Sequence, residues 1–157
     1  IRHGAILARE DTRTTAKAWL EANIPENAKI AVDWPVYGPP LSTLERPVPN
    51  SRRTYEVTEV GGEGLSAHGV DYYRAQGYDY VIVSSYIANL HLVDPARDAV
   101  RQAFYRDLPR HFTLIQEFSP ARQGRDLPFA WDEIYGPFVS IWAREQPGPV
   151  LQIYQVR

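Results

Sequence analysis

Apolar positions along this chain recur in two rhythms, and the rhythm switches repeatedly. Ala16, Trp19 and Leu20 fall at helical spacing behind Asp11, with Asn23 on a neighbouring face. An Asp side chain can accept from the first free backbone N–H groups of a helix, and Ile24-Pro25 closes the run, which predicts a helix over 12–23. Residues 29–33 then read as a short strand. Pro35, Pro39, Pro40, Pro47 and Pro49 each fix a backbone angle and lack a donor, so 34–53 is expected to be a long, stiff loop. Alternation of Tyr55, Val57 and Glu59 against Thr54, Glu56, Thr58 and Val60 predicts a half-exposed strand, ended by Gly61, Gly62 and Gly64.

Beyond those glycines a helix is expected over 65–76, weakened at its start by Gly69 and ended where Gly77 can adopt a left-handed cap. Tyr80, Val81, Ile82 and Val83 form a continuous apolar run of high strand propensity, the pattern of a strand covered on both faces. Asp94-Pro95 reads as a cap and first-turn proline for a helix in which Ala96, Ala99, Val100, Ala103, Phe104 and Leu108 recur until Pro109 stops it. Strands follow at 112–118 and 150–156, the second ordered by pairing with the existing sheet. Between them Pro137 starts a short helix with Phe138, Ile141 and Trp142 on one face, and Pro147 ends it. This succession predicts an α/β fold: a three-layer α/β/α sandwich with a mostly parallel central sheet and antiparallel edge additions.

Composition narrows the function classes. At 157 residues, 44% hydrophobic and 23% charged, the chain is one globular domain long enough to fold without staples. It has no Cys, which excludes disulfides, zinc ribbons and thiol nucleophiles. A net charge of −2 offers no general attraction to phosphate backbones, so nucleic acid is not an expected partner. No apolar run approaches the roughly 18 residues that cross a bilayer. The chain starts at Ile1 and contains no Met, which makes a piece of a longer protein the expectation.

Candidate chemistry is sparse. Gly62-Glu63-Gly64-Leu65-Ser66-Ala67 satisfies a dinucleotide-binding pattern. However, Glu63 would face the pyrophosphate, Gly69 interrupts the helix that should hold it, and the next strand ends in Ser84-Ser85 instead of a ribose-binding acid. His3, His68, His91 and His111 lack metal-ligand spacing, and no metal site is expected. Asp132 and Glu133 are adjacent and point apart, a poor acid and base pair. Arg97, Asp98 and Arg101 suit surface ion pairs on a solvated helix face. In open α/β sheets, ligands favour the crevice beyond the carboxyl ends of parallel strands. Two such ends can be named, one running into Asp33, Trp34 and Tyr37, the other into Ser84, Ser85 and Tyr86. Aromatic planes beside hydroxyls and a carboxylate suit a sugar; alternatively, Trp34 and Tyr37 roof the core under the proline loop.

Several strings in order resemble a known family. Asp11-Thr12-Arg13 with Ala16, Trp19 and Asn23-Ile24-Pro25, then Lys29-Ile30-Ala31 and Tyr37-Gly38-Pro39-Pro40-Leu41, resemble the soluble C-terminal portion of bacterial polytopic glycosyltransferases. These enzymes are similar to the dolichyl-phosphate-mannose protein mannosyltransferase superfamily. The run from Gly77 to Ser85, Arg144-Glu145-Gln146-Pro147-Gly148-Pro149 and Ile153-Tyr154 resemble the tail of that group. The resemblance implies a parent enzyme that transfers a sugar from a polyprenyl-phosphate carrier on the extracytoplasmic face of the bacterial cell membrane. The family's catalytic acids lie in its transmembrane region, so no catalytic residue carries over and no cofactor is expected in this stretch. On that reading 1–10 is a linker leaving a membrane helix, with Ile1, Ala5, Ile6 and Leu7 as its stub, and 11–157 is a single soluble domain. Expected partners are its own transmembrane domain, the membrane surface, and a lipid-linked sugar or glycan acceptor. Trp131, Tyr135, Phe138 and Trp142 are candidates for membrane or partner contact, or else cover the sheet's remaining face. The competing class is a free-standing small-ligand or carbohydrate-binding module; a small hydrolase or transferase has the least support.

Overall fold

The computed structural model describes residues 2–93, 98–127 and 140–156. The Asp94-Pro95 cap, the Pro137 helix start, and Trp131, Tyr135 and Phe138 lie outside the described residues.

A short helix α1, Arg2–Leu7, precedes α2, Thr12–Asn23, whose cap is Asp11: its carboxylate accepts from the Arg13 backbone N–H at 2.8 Å. Thr12, Ala16 and Leu20 are buried along one face of α2, and the Ile24 N–H bonds back to the Leu20 carbonyl as the chain leaves. Strand β1 is Lys29–Asp33 and β2 is Glu56–Val60, separated by the proline loop, which holds a single 3-10 turn, Pro35–Tyr37. The expected helix over 65–76 is divided into a 3-10 turn, Gly64–Ala67, and α3, Val70–Ala75. Gly69 is extended at the break and caps α3 without a side chain. Gly77 closes this segment at φ +71°, as its position predicts. Strand β3, Tyr80–Ser84, runs directly into a one-turn helix α4, Ser85–Ala88.

The next helix, α5, is Ala99–His111, and two expectations about it need correction. Pro109 does not stop it, because in the final turn a proline removes only one helix hydrogen bond, and the helix closes with the Phe112 N–H on the Leu108 carbonyl. Its supposedly solvated face is not all wet either: Arg101 is buried, while Val100 is exposed. Strands β4, Thr113–Phe118, and β5, Leu151–Gln155, complete a five-stranded sheet in the order β2-β1-β3-β5-β4. β1 pairs in parallel with β2 and β3, and β5 pairs antiparallel with both β3 and β4. The fold is therefore α/β, with a parallel half and an antiparallel edge.

Alternation along β1 sorts the core into two layers. Ile30 and Val32 pack with Ile82, Ile153, Leu20, Ile24 and Tyr55 on the α2 face. Ala31 packs with Val81, Val83, Leu65, Tyr73 and Leu108 on the face covered by α3 and α5. Each fully buried Leu or Ile contributes roughly 1.5–3 kcal/mol relative to exposure, so both faces need their helices. The chain leaving β1 returns along the α2 face through Leu41 and Tyr55, whereas the chain leaving β3 turns to the α5 face through Ala88. Adjacent parallel strands whose exits diverge to opposite faces form the switch point where such sheets open a crevice.

Candidate functional site

The switch point lies between the ends of β1 and β3, at Asp33 and Ser84. Following the alternation, the Asp33 side chain projects to the α5 face, where it is fully buried. One carboxylate oxygen accepts from the Leu65 backbone N–H and from the Tyr105 hydroxyl, each at 2.7 Å. The other accepts from the Ser84 backbone N–H at 2.9 Å. Four segments thus converge on one carboxylate: β1, β3, the Gly64–Ala67 turn and α5. Burial pushes the Asp33 carboxyl up to about 6, opposed by the Tyr105 hydroxyl, the two N–H groups and the charge of Arg101. The Tyr105 hydroxyl is itself raised, first by burial and then by the Asp33 charge and their hydrogen bond.

The glycine-rich turn explains why its dinucleotide-like pattern holds no phosphate in this arrangement. Gly64 sits at φ +63°, and a Cβ there would lie 2.5 Å from the Tyr105 hydroxyl oxygen and 2.8 Å from Asp33, besides striking Ile87. Only glycine fits, and it delivers the next N–H, that of Leu65, to Asp33. Glu63 turns outward and pairs with buried Arg101 at 3.2 Å. Sequence reasoning does not find Arg101, Tyr105 or Glu63 as members of this site. The available signal is spacing: Arg101, Tyr105 and Leu108 share one face of α5 at intervals of four and three.

Of the six candidate residues, three are used internally. Asp33 and Ser84 are fully buried, and the Ser84 hydroxyl has no hydrogen-bond partner among the described residues. Ser85 stitches β3 to the start of β5, its N–H donating to the Val150 carbonyl and its hydroxyl accepting from the Val150 N–H. The other three form a ledge. Trp34 is 42% exposed and lies against Gly62, where a Cβ would come within 3.2 Å of the indole. The Tyr37 N–H folds back onto the Trp34 carbonyl at 2.9 Å, bringing the two rings edge to face at 6.0 Å. Tyr86, just after β3, meets Tyr37 edge to face at 5.6 Å. Arg13 holds the turn from below, donating to the Val36 carbonyl at 2.8 Å while bound through two nitrogens to Asp11.

No family model, curated protein or solved structure matches this chain. The site is accordingly read from its own geometry. Among the described residues no group of three or more His, Asp or Glu side chains is placed to hold a metal ion. Trp142, the one described member of the aromatic contact set, is 70% exposed in the turn at 140–143. Chemically, the end of the sheet offers flat π surface at the edge of a closed polar joint. A sugar's apolar face can lie on such a ledge.

Proposed function

We propose that this chain is a non-catalytic extracytoplasmic domain of a membrane glycosyltransferase that uses a polyprenyl-phosphate-linked sugar, and that the Trp34, Tyr37 and Tyr86 ledge positions a sugar of the donor or acceptor. The observation that carries the reading is the internal use of Asp33. Its three donors hold that carboxylate inward, and the strand ends present the aromatic surface of Trp34, Tyr37 and Tyr86 at the rim. A surface of that kind binds without reacting, which agrees with a parent enzyme whose catalytic acids lie elsewhere. The family resemblance supplies the lipid-linked donor, and exposed Trp142 suits contact with a membrane surface or the parent's membrane domain. No helix among the described residues is long and apolar enough to cross a membrane.

A free-standing carbohydrate-binding module would use the same ledge, and the coding sequence upstream of Ile1 separates the two. Several apolar spans of about 20 residues there support the membrane enzyme, whereas a start codon or secretion signal immediately before Ile1 overturns it. The ledge itself is tested by NMR titration with methyl mannoside, methyl glucoside and methyl galactoside at millimolar concentration. The Trp34 indole N–H and residues near Tyr86 shift with at least one sugar, and Trp34→Ala abolishes the response. Absence of any shift removes sugar positioning from this surface.

A further inference from the structure

The sheet ends on one side at β2, and the ladder there fixes which backbone groups of that strand are used. The Glu56 N–H donates to the Ala28 carbonyl, and the pairing with β1 runs unbroken from Lys29 opposite Glu56 to Asp33 opposite Val60. Alternate residues of a paired strand turn their N–H and C=O groups to the same side, so Glu56, Thr58 and Val60 serve β1 while Tyr55, Val57 and Glu59 turn theirs outward. The Tyr55 N–H is taken by the Ser42 carbonyl at 2.9 Å. There the proline loop leaves the edge, because the Thr43 N–H donates to the Arg46 carbonyl and the Arg46 N–H to the Thr43 hydroxyl, which closes a turn. The N–H and C=O groups of Val57 and Glu59 have no hydrogen-bond partner among the described residues. We infer that this edge takes up an extended segment of a partner polypeptide, paired antiparallel with Glu56–Val60 and alternating apolar with basic residues. The inference makes no use of the glycosyltransferase reading.

Only an extended backbone offers donors and acceptors at the spacing of these open groups, and main-chain pairing of this kind recognises peptides while leaving selectivity to their alternate side chains. The edge is reachable, since Glu56, Thr58 and Glu59 are exposed. Folded sheets commonly protect a free edge with a proline, a bulge, charge or a covering segment. The opposite edge strand, β4, has such a bulge, its register shifting between Leu114 and Gln116. β2 contains no Pro and keeps its register throughout.

What guards β2 is charge, and the charge selects the partner. The seam carries Glu45, Glu56 and Glu59 against Arg46 and Lys29. Arg46 is held by Glu59 at 2.6 Å and feels the charge of Glu45 as well. Lys29 reaches Glu56 only at 3.6 Å while its ammonium donates to the Gln76 carbonyl at 3.0 Å, and the Glu56 side chain stays 67% exposed. A basic side chain across from Glu56 therefore meets a loosely partnered carboxylate, and opposite charges across a strand pair attract. A second copy of this chain would instead bring the same carboxylates to the seam from both sides. On the α2 face, the alternate side chains of the segment meet a cavity of about 390 Å³ at the start of β2, lined in part by Thr43, Leu44, Tyr55 and Val57. Leu44 is 85% exposed, and covering it favours an apolar residue there.

The test uses the chain as it stands, with an end-blocked hexapeptide of alternating valine and lysine as probe, followed by NMR and amide hydrogen exchange. At saturation the Val57 and Glu59 amides exchange about tenfold more slowly, while those of Glu56 and Thr58, already bonded to β1, change little. Residues directly opposite in a ladder share a face, so the valines of the probe turn their N–H groups to β2. N-methylation of the valines abolishes binding, and N-methylation of the lysines leaves most of it. Glu56→Gln weakens binding roughly two- to fivefold, and a peptide of alternating valine and glutamate binds more weakly than the lysine probe. The inference is overturned if the probe does not bind saturably, if it binds without protecting Val57 and Glu59, or if the valine-methylated peptide binds as well. A dimer by sedimentation that protects those two amides with no peptide present also overturns it, by making a second copy the occupant. None of these outcomes bears on sugar binding at Trp34, so the two readings fail separately.

Discussion

Replacing Asp33 with Asn keeps the shape of the side chain at the switch point and removes its charge, which makes the electrostatics of the joint measurable. In the parent, burial raises the carboxyl from an ordinary 3.8 to about 6, even though the Tyr105 hydroxyl, the Leu65 and Ser84 N–H groups and Arg101 all pull it down. The folded chain therefore holds a proton on Asp33 across a range where the unfolded chain has released it. Stability from this group is fully present below the unfolded value and is lost as pH rises through about 6. At 1.36 kcal/mol per pH unit, the loss is about 3 kcal/mol. Asparagine can offer its carbonyl oxygen to Leu65 and Tyr105, but its NH2 then meets the Ser84 N–H, donor against donor. That mismatch costs about 1–3 kcal/mol and does not vary with pH.

Urea unfolding followed by tryptophan fluorescence, from pH 4 to pH 7.5, gives the parent and Asp33→Asn curves. Their difference isolates one group. Asp11 and Glu21 run the other way, their carboxyls lowered because, against burial, bonds to Arg13 and Lys17 prevail, but they are common to both proteins and cancel. The expected result is that the variant gains about 2.5 kcal/mol on the parent between pH 4 and pH 7.5, the rest of the ~3 kcal/mol lying below pH 4, with the change centred between 3.8 and about 6. A flat difference, or one that favours the parent as pH rises, refutes a carboxyl destabilised by burial and leaves the joint as an ordinary ion-pair site.

Substitutions at three further positions probe the frame around the ledge and the start of α2. Gly64→Ala places a methyl at φ +63° against Ile87, Tyr105 and Asp33, and is expected to cost about 2–5 kcal/mol by urea unfolding. Gly62→Ala presses only on the Trp34 ring, 3.2 Å away, and should cost less than about 1 kcal/mol; equal effects would remove the steric argument. Thr12→Val breaks the buried hydrogen bond from its hydroxyl to the Pro149 carbonyl at 2.8 Å, which ties the start of α2 to the approach to β5. A loss of about 1–3 kcal/mol in urea unfolding is expected, with Thr12→Ser, which keeps the donor, losing less than half of that.

The elements that periodicity identifies are those with local causes. β1 and α2 end where the pattern places them, because Asp11 caps one end of α2 and Ile24-Pro25 closes the other. β2 begins at Glu56 and not at residue 54, since the Tyr55 N–H is taken by the Ser42 carbonyl inside the proline loop. That hydrogen bond spans 13 residues, and no local rule predicts it. The expected 65–76 helix divides at Gly69, which is extended and caps α3 with no side-chain bond, a break the sequence signals only as a weakened start. Position of β5 between β3 and β4 is likewise invisible in a pattern that sees only one segment at a time.

The grouping of Asp33, Trp34 and Tyr37 with Ser84, Ser85 and Tyr86 is legible because strand ends in a parallel sheet must lie side by side. What each member does is not. In an open sheet of this kind the switch point exposes backbone N–H groups that attract an anionic ligand. Here those donors, on Leu65 and Ser84, are already directed at a carboxylate, and it belongs to β1. Asp33 takes the place of the ligand's anion. Its cost is the raised carboxyl, and its consequence is that the crevice is filled from within while Trp34, Tyr37 and Tyr86 are left at the rim. Arg101 adds to this closure from α5, with its charge acting on Asp33 and its bond going to Glu63 of the glycine turn. A compound designed to enter the sheet between β1 and β3 therefore has to displace a side chain before it can bind.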